Sequence, residues 1–150
     1  MSDLRSRFPL EPLTLLRVTV ALFIALHGWY RFIHGDALGF GVYVERHGVP
    51  LGTWLGPAVT GYEMLASLVL ASGRWIFPIS LGFAAIYLVG IPVHHLQYGW
   101  FSSGNEDGCE YPVLMIVCQL CLAWQHAPTL LRARWPRLFA DAQIPRQLRG

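Results

Sequence analysis

The side chains best suited to chemistry are concentrated in one polar stretch, residues 92–112, between two strongly apolar segments. The stretch contains two adjacent histidines, His94 and His95, together with three acids, one cysteine and four aromatic residues, but no Lys or Arg. Histidine and carboxylate side chains can exchange protons or hold a polar ligand near neutral pH. For the histidines the alternative is a plain interfacial position, and for Glu110 it is capping of the helix that follows. A zinc or haem site is conceivable here, but no ligand-spacing motif supports one, so none is predicted.

Further ionisable residues interrupt the apolar segments. Glu63 lies among apolar neighbours, and His27, Arg31 and His34 share one helical face at i, i+4 and i+7. Ionisable groups inside a membrane are costly, so each is a candidate functional residue whose partner must be found. The alternative is that Glu63 pairs with His27 or Arg31 only as a structural lock.

The composition favours a membrane protein. Charged residues make up 13% of the 150 residues, apolar residues make up 54%, and the mean hydropathy is +0.42. A soluble domain of this size has roughly twice that charged fraction with which to cover its surface. The net charge is +2 and no basic stripe occurs outside the tail, so nucleic-acid binding is not indicated. The lipid bilayer is therefore the expected partner.

Four segments are apolar enough and long enough to cross a bilayer, which takes about 20 residues. They are Leu13–Ile33, Leu55–Ser72, Trp75–Leu96 and Cys109–His126. A proline stands at or near the first turn of each, where its missing N–H costs no helical hydrogen bond. These are Pro12, Pro57, Pro78 and Pro112. The predicted fold class is an all-α integral membrane protein, an antiparallel bundle of four transmembrane helices.

Two local features refine this bundle. Pro92 lies inside the third segment and is expected to kink or end that helix near the two histidines. The tight connection at Gly73–Arg74 makes the second and third helices antiparallel neighbours.

The arginines are distributed unevenly around this bundle. With both termini cytoplasmic, nine of the eleven arginines lie inside and only Arg31 and Arg46 lie outside. This asymmetry predicts that both termini are cytoplasmic, and the expected location is the bacterial cytoplasmic (inner) membrane, as a multi-pass protein. The outer connection 35–54 is long and apolar enough to lie in the interface or to fold back over the bundle. Residues 129–150 are predicted to form a short basic amphipathic tail on the anionic inner surface.

The fourth predicted helix carries a polar stripe at helical spacing. Its members are Glu110, Leu114, Cys118, Cys121 and Gln125. If this stripe faces inward, the outer end of the bundle becomes a polar mouth to which all four helices contribute. The two cysteines of the stripe would lie deep in the membrane, where a thiolate is hard to form. We interpret them as small apolar residues rather than a redox pair.

Several motifs together resemble the DoxX family. In the first helix, Leu16-Arg17 is followed by His27-Gly28 and Arg31-Phe32. In the second, Gly61-Tyr62-Glu63 precedes a Ser72-Gly73-Arg74 hairpin. Later, Gly108-Cys109-Glu110-Tyr111-Pro112 is similar to the family's Gly-Tyr-Glu-Tyr-Pro signature, with Cys109 in place of the usual aromatic residue. Arg31 stands where the family commonly has Lys, and the resemblance extends over roughly residues 13–127.

The resemblance implies a four-helix membrane protein related to DoxD, the small membrane subunit of thiosulfate:quinone oxidoreductase. The chain would then be the membrane component of a redox system that meets a quinone or an oxidoreductase partner. This leaves open whether the chain is itself an enzyme. Glu63 and His27 would exchange a proton. The residues that would hold the quinone head group are His94, His95, Glu110 and Arg31.

The sequence has no flavin, iron–sulfur or nicotinamide signature, so electrons would come from a partner or from a small donor. Two alternative functions stay open. One is a non-enzymatic membrane anchor or assembly subunit that uses its tail for docking. The other is a small transporter or channel, which four helices could build only as a homo-oligomer.

Overall fold

The computed structural model describes residues 11–104 and 107–136, and most of that part is helical. Its α-helices are α1 (Pro12–Ile33), α2 (Ala37–Arg46), α3 (Gly52–Ala71), α4 (Ile76–Gly90), α5 (Glu110–Gln125) and α6 (Thr129–Arg134). Beyond Gly90 the chain continues through a π-helical turn, Ile91–His95, and a 3₁₀ turn, Leu96–Tyr98. The all-α class is confirmed for the described residues.

The four long helices surround one apolar core. Antiparallel α1 packs on α3 and α4 packs on α5, while the short turn after Ala71 joins the two pairs. Each long helix contributes a side chain with no exposed surface: Ile24, Leu70, Phe83 and Leu122. Burial of this apolar surface stabilises the helix arrangement.

The outside of the described bundle is also apolar. Large exposed side chains occur on every long helix, including Phe23, Leu65, Leu88 and Leu114. Within the described residues, two helices are long and apolar enough to cross a bilayer, Pro12–Ile33 and Ile76–Tyr98. The four-span topology and the cytoplasmic position of both termini remain predictions.

The prolines mark helix starts as predicted, with one exception. Pro12 is the first residue of α1, and Pro78 and Pro112 are the third residues of α4 and α5. Pro57 instead lies inside α3, because that helix begins at Gly52, three residues before the predicted start. Leu51 precedes it with a φ of 60°, and this left-handed residue turns the chain sharply into the helix.

The predicted break at Pro92 is confirmed. Regular α-helix ends at Gly90, and Pro92 lies in the π-helical turn that carries both His94 and His95. Proline cannot donate the backbone hydrogen bond that a continuing α-helix requires. Single π-helical turns are rare, and those that occur are frequently found at functional sites.

The connection 35–54 contains a helix that was not predicted. Its segment α2 folds back over the bundle and packs on α3, one of the two arrangements expected for this stretch. Glycines allow the two backbones to approach closely. A Cβ on Gly41 would lie 2.6 Å from the carbonyl oxygen of Gly52, and one on Gly56 would lie 2.5 Å from Cα of Gly41. No side chain fits at either position.

The inward face of α5 differs from the predicted polar stripe. The buried residues are Pro112, Met115, Gln119, Leu122 and Ala123, whereas Leu114 and Cys121 are exposed. The large apolar side chains Met115 and Leu122 join the central core, and this packing fixes the rotation of the helix. The stripe as a whole therefore does not face inward, which was the condition for its place in the predicted mouth.

Two arginines, Arg17 and Arg132, make contacts at the opposite end of the bundle. The guanidinium nitrogens of Arg17 lie 3.2 Å from the Cβ position of Gly73, at the carboxyl end of α3, where the helix dipole favours a cation. Arg132 on α6 donates from Nε to the carbonyl of Ala127 at 2.9 Å and from Nη2 to that of Gln125. Helix α6 is short, as expected, and the rest of the predicted tail, residues 137–150, lies outside the described residues.

Candidate functional site

A buried ion pair joins α1 to α3. Arg31 Nη1 donates to Glu63 Oε2 at 2.8 Å and to Thr60 Oγ1 at 3.2 Å. The side chains of Arg31 and Glu63 are only 11% and 7% exposed. Thr60 in turn donates to the carbonyl of Gly56 at 2.9 Å, so its hydroxyl is held in a fixed orientation. One of the two pairings considered for Glu63, that with Arg31, is thus observed.

The sequence around the pair explains its position. Gly28 on α1 faces Glu63, and its lack of a side chain lets the two helices approach closely enough for Arg31 and Glu63 to meet. A Cβ added at Gly28 would lie 2.8 Å from Cβ of Glu63. Helix α2 closes the pair from the side, since the ring of Phe40 lies 4.1 Å from the guanidinium carbon of Arg31. Such a cation–π contact stabilises a guanidinium that has left water.

A second polar group surrounds His94 in the π-helical turn. His94 Nδ1 lies 2.9 Å from the Tyr43 hydroxyl of α2, and Nε2 lies 3.4 Å from Asp107 Oδ2. Gln97 Nε2 donates to the same tyrosine hydroxyl at 3.3 Å. These four side chains form a chain of contacts, which we call the His94 relay.

The chemistry of the donors and acceptors fixes the proton positions in a neutral His94 ring. An ionised carboxylate only accepts, so Nε2 carries the hydrogen toward Asp107 and Nδ1 accepts from the Tyr43 hydroxyl. The hydroxyl has a second acceptor, the carbonyl oxygen of Val93, at 3.5 Å. Tyr43 can therefore turn its hydrogen to Val93 when His94 takes up a proton at Nδ1. The relay can hold one additional proton without leaving a donor unpaired.

His95 and Glu110 hold the adjoining loop. The ring Nδ1 of His95 donates to the backbone carbonyl of Asp107 at 2.7 Å. Glu110 Oε1 accepts from the backbone N–H of Ser102 at 3.0 Å. Backbone hydrogen bonds from Cys109 to Gly99 and from Glu110 to Trp100 close the same loop. Glu110 thus ties the loop to the first turn of α5, and its role in ligand binding remains a prediction.

The predicted face of α1 is only partly brought into the site. Arg31 points inward, but His34 is exposed and bonds to the carbonyl of its own helix at Tyr30. His27 is exposed on the bundle, within electrostatic range of Arg31, Asp107 and His95. The carboxylate of Glu63 is bonded to Arg31 rather than to His27. Proton exchange between Glu63 and His27 therefore remains a prediction.

Sequence reasoning missed four residues that complete these groups: Thr60, Phe40, Tyr43 and Gln97. A signal existed for Thr60, which precedes Glu63 by three residues and so shares its helical face. For α2 the signal was Gly52-x-x-x-Gly56, a spacing that favours a close helix neighbour. Among the described residues no three His, Cys, Asp or Glu side chains converge as a metal-ligand set. The arrangement offers hydrogen bonds and proton transfer instead.

The long helices with apolar outer faces, together with a buried ion pair, define a helical membrane protein. The chain belongs to the DoxX family, whose model matches residues 13–96. No curated protein and no solved structure matches the chain. The matched part contains both members of the ion pair and both histidines of the π-helical turn. The Gly108–Pro112 motif lies beyond it, so the similarity of that motif to the family signature stays a resemblance.

Proposed function

We propose that this chain is the membrane component of a redox system and that it binds a quinone head group beside the His94 relay. The single observation that carries the proposal is the hydrogen-bonded chain from Gln97 through Tyr43 and His94 to Asp107. Reduction of a quinone to a quinol takes up two electrons and two protons. The relay can deliver protons, and an oxidoreductase partner or a small reductant must supply the electrons.

The position of the relay supports this proposal. His94 lies where regular helix ends, and Tyr43 and Asp107 approach it from two other segments. The predicted topology puts this end at the outer surface, the level at which the head group of a membrane quinone can meet protons from water. In this proposal His94 and Arg31 contact the head group, His95 and Glu110 hold the loop over it, and Glu63 and His27 exchange a proton.

Binding of a quinone without a tail to protein in nanodiscs tests the proposal directly. Quenching of the protein's six tryptophans gives the dissociation constant. Loss of one hydrogen bond to the ligand, in His94→Phe, should weaken binding about tenfold. His34→Phe is the matched control, because His34 is exposed at the same end and bonds only within its own helix turn. Equal binding by both variants and the unchanged protein would refute the assignment to His94.

A second candidate function is a non-enzymatic anchor or assembly subunit. It is favoured by the closed nature of the Arg31–Glu63 pair, whose charges are matched within the protein and covered by Phe40. Such a pair can serve as a lock with no ligand. Truncation after Ala127 removes α6 and the tail. Loss of a co-purifying partner, with quinone binding absent from the full chain, would favour anchoring.

A further inference from the structure

A groove with a volume of ≈ 560 Å³ runs along α3 where α1 ends and α2 begins. Its size falls within the roughly 300–1,000 Å³ usual for ligand pockets. The walls are mainly apolar and include Phe32, Ala37, Leu38, Gly61 and Leu65. Phe32, Leu38 and Leu65 are 59%, 61% and 66% exposed, so the groove opens sideways, toward the surface that a lipid would cover.

The groove owes part of its space to a glycine. A Cβ added at Gly61 would meet nothing within 4 Å. A larger side chain at this position would therefore project into the groove without striking the protein. This contrasts with Gly28, Gly41 and Gly56, where the backbone or side chains of a neighbouring helix fill the space.

The floor of the groove adjoins the buried ion pair. Thr60 lines the groove, and its Oγ1 accepts the hydrogen bond from Arg31. The charge of Arg31 is balanced by Glu63 at 2.8 Å, so this end of the groove is polar but neutral overall. A neutral polar head group suits such a floor better than the anionic phosphate of a phospholipid.

We propose that this groove binds the isoprenoid tail of the quinone, an inference that rests on the proposed function. The tail is an uncharged hydrocarbon, and it matches apolar walls that open toward the bilayer. At its floor Thr60 is hydrogen-bonded to Arg31, a residue assigned to the head group. The groove thus serves as a lateral entry by which a membrane-dissolved quinone reaches the polar end of the bundle.

The test compares two quinones that share one head group, the first without a tail and the second with two isoprene units. Their dissociation constants are measured in nanodiscs for the unchanged protein, Gly61→Leu and Gly90→Leu. Gly90 is the matched control, since it is also helical, half-buried and free of atoms within 4 Å of an added Cβ. Partitioning of the tailed quinone into lipid is the same for all three proteins and cancels in the comparison.

We expect the tailed quinone to bind more tightly than the tailless one in the unchanged protein and in Gly90→Leu. In Gly61→Leu the ratio of the two dissociation constants should be at least tenfold smaller. Binding of the tailless quinone should be equal in all three proteins. If the tail's improvement survives in Gly61→Leu, the groove assignment is overturned and the proposed function is unaffected. If neither quinone binds the unchanged protein, the proposed function fails and the groove assignment falls with it. Photolabelling of the groove by a phospholipid acyl chain that excess tailed quinone does not displace would identify a lipid site and overturn the inference.

Discussion

Gly28 on α1 lies directly against Glu63 on α3, so closely that a Cβ at position 28 would be 2.8 Å from Cβ of the glutamate. The same added carbon would lie 3.2 Å from the backbone nitrogen of Met64. The glycine therefore sets the distance between the two helices at the level of the ion pair. One helical turn further along α1, Arg31 reaches Glu63 across this narrow gap.

Gly28→Ala should force α1 and α3 apart. Overpacking of this kind costs about 1–3 kcal/mol, because the nearest atoms include helix backbone that cannot move aside. The free energy of unfolding, measured by SDS titration in mixed micelles, gives the size of the effect. Gly61→Ala is the control, since its new methyl group meets open space and alanine favours the helix by about 1 kcal/mol. Both variants gain this helix propensity, so equal stability of Gly28→Ala and Gly61→Ala would contradict the close contact.

The Arg31–Glu63 pair should show strong coupling in a double-mutant cycle. Removing one partner leaves a buried charge unpaired, so Arg31→Met and Glu63→Leu should each cost about 3–5 kcal/mol. The double variant should lose far less than the sum of the two, since it leaves an apolar contact in place of the pair. Unfolding in mixed micelles measures all three variants. Additive losses would show that the two side chains do not interact in the folded protein.

Substitutions of Glu63 distinguish a purely structural ion pair from a proton-exchange site. Glu63→Gln keeps a hydrogen-bond acceptor for Arg31 but removes the titrating carboxyl, whereas Glu63→Leu removes both. If Glu63 exchanges a proton during turnover with an electron donor and a quinone, both variants lose activity. If both variants fold and turn over at the unchanged rate, the proton role is refuted and the lock alone remains.

The long helices were predictable because a run of about 20 mostly apolar residues is typical of a membrane-spanning helix. The position of Pro92 likewise indicated where α4 would end. Helix α2 was missed because it has only ten residues, and a search for membrane-spanning segments does not detect so short a helix. Its signal was the glycine spacing at Gly52 and Gly56, which becomes interpretable only once a neighbouring helix is sought.

The rotation of α5 could not be predicted for a different reason. In water, the apolar side of a helix faces the core and the polar side faces solvent. A helix with lipid outside is apolar on both sides, so the contrast that reveals its inner face is weak. The inner face of α5 is decided by the fit of Met115 and Leu122 in the core rather than by polarity. The Arg31–Glu63 pairing was foreseen as an alternative because a buried charge needs a partner.

The contact between Glu45 and Thr53 should make the attachment of α2 pH-dependent. The backbone N–H of Thr53 donates to Glu45 Oε2 at 2.8 Å and its hydroxyl donates to the same oxygen. These hydrogen bonds, with that from the hydroxyl foremost, hold the pKa of the exposed Glu45 carboxyl below its ordinary value. A carboxyl with a lowered folded-state pKa stabilises the fold above its unfolded pKa. That contribution is lost as the pH falls through the folded value.

Hydrogen–deuterium exchange of α2 amides measures this dependence. The unchanged protein should be better protected than Glu45→Gln at neutral pH, and the ratio of the two rates should approach one in acid, below the lowered folded-state pKa of Glu45. Taking the ratio removes the intrinsic effect of pH on exchange. A ratio that stays constant into strong acid would show that the Glu45 carboxylate does not hold α2.

Gln119 is the most unusual buried side chain of the described core. It has no exposed surface, and neither its amide nitrogen nor its amide oxygen has a hydrogen-bond partner within the described residues. A buried unsatisfied polar group costs about 1–3 kcal/mol, so Gln119→Met should raise the free energy of unfolding by about that amount. Gln125→Met, at the half-buried end of the same helix, should leave it nearly unchanged. If Gln119→Met instead destabilises the protein, the amide has a polar partner in the membrane, and a water or ligand in the bundle core becomes the object to find.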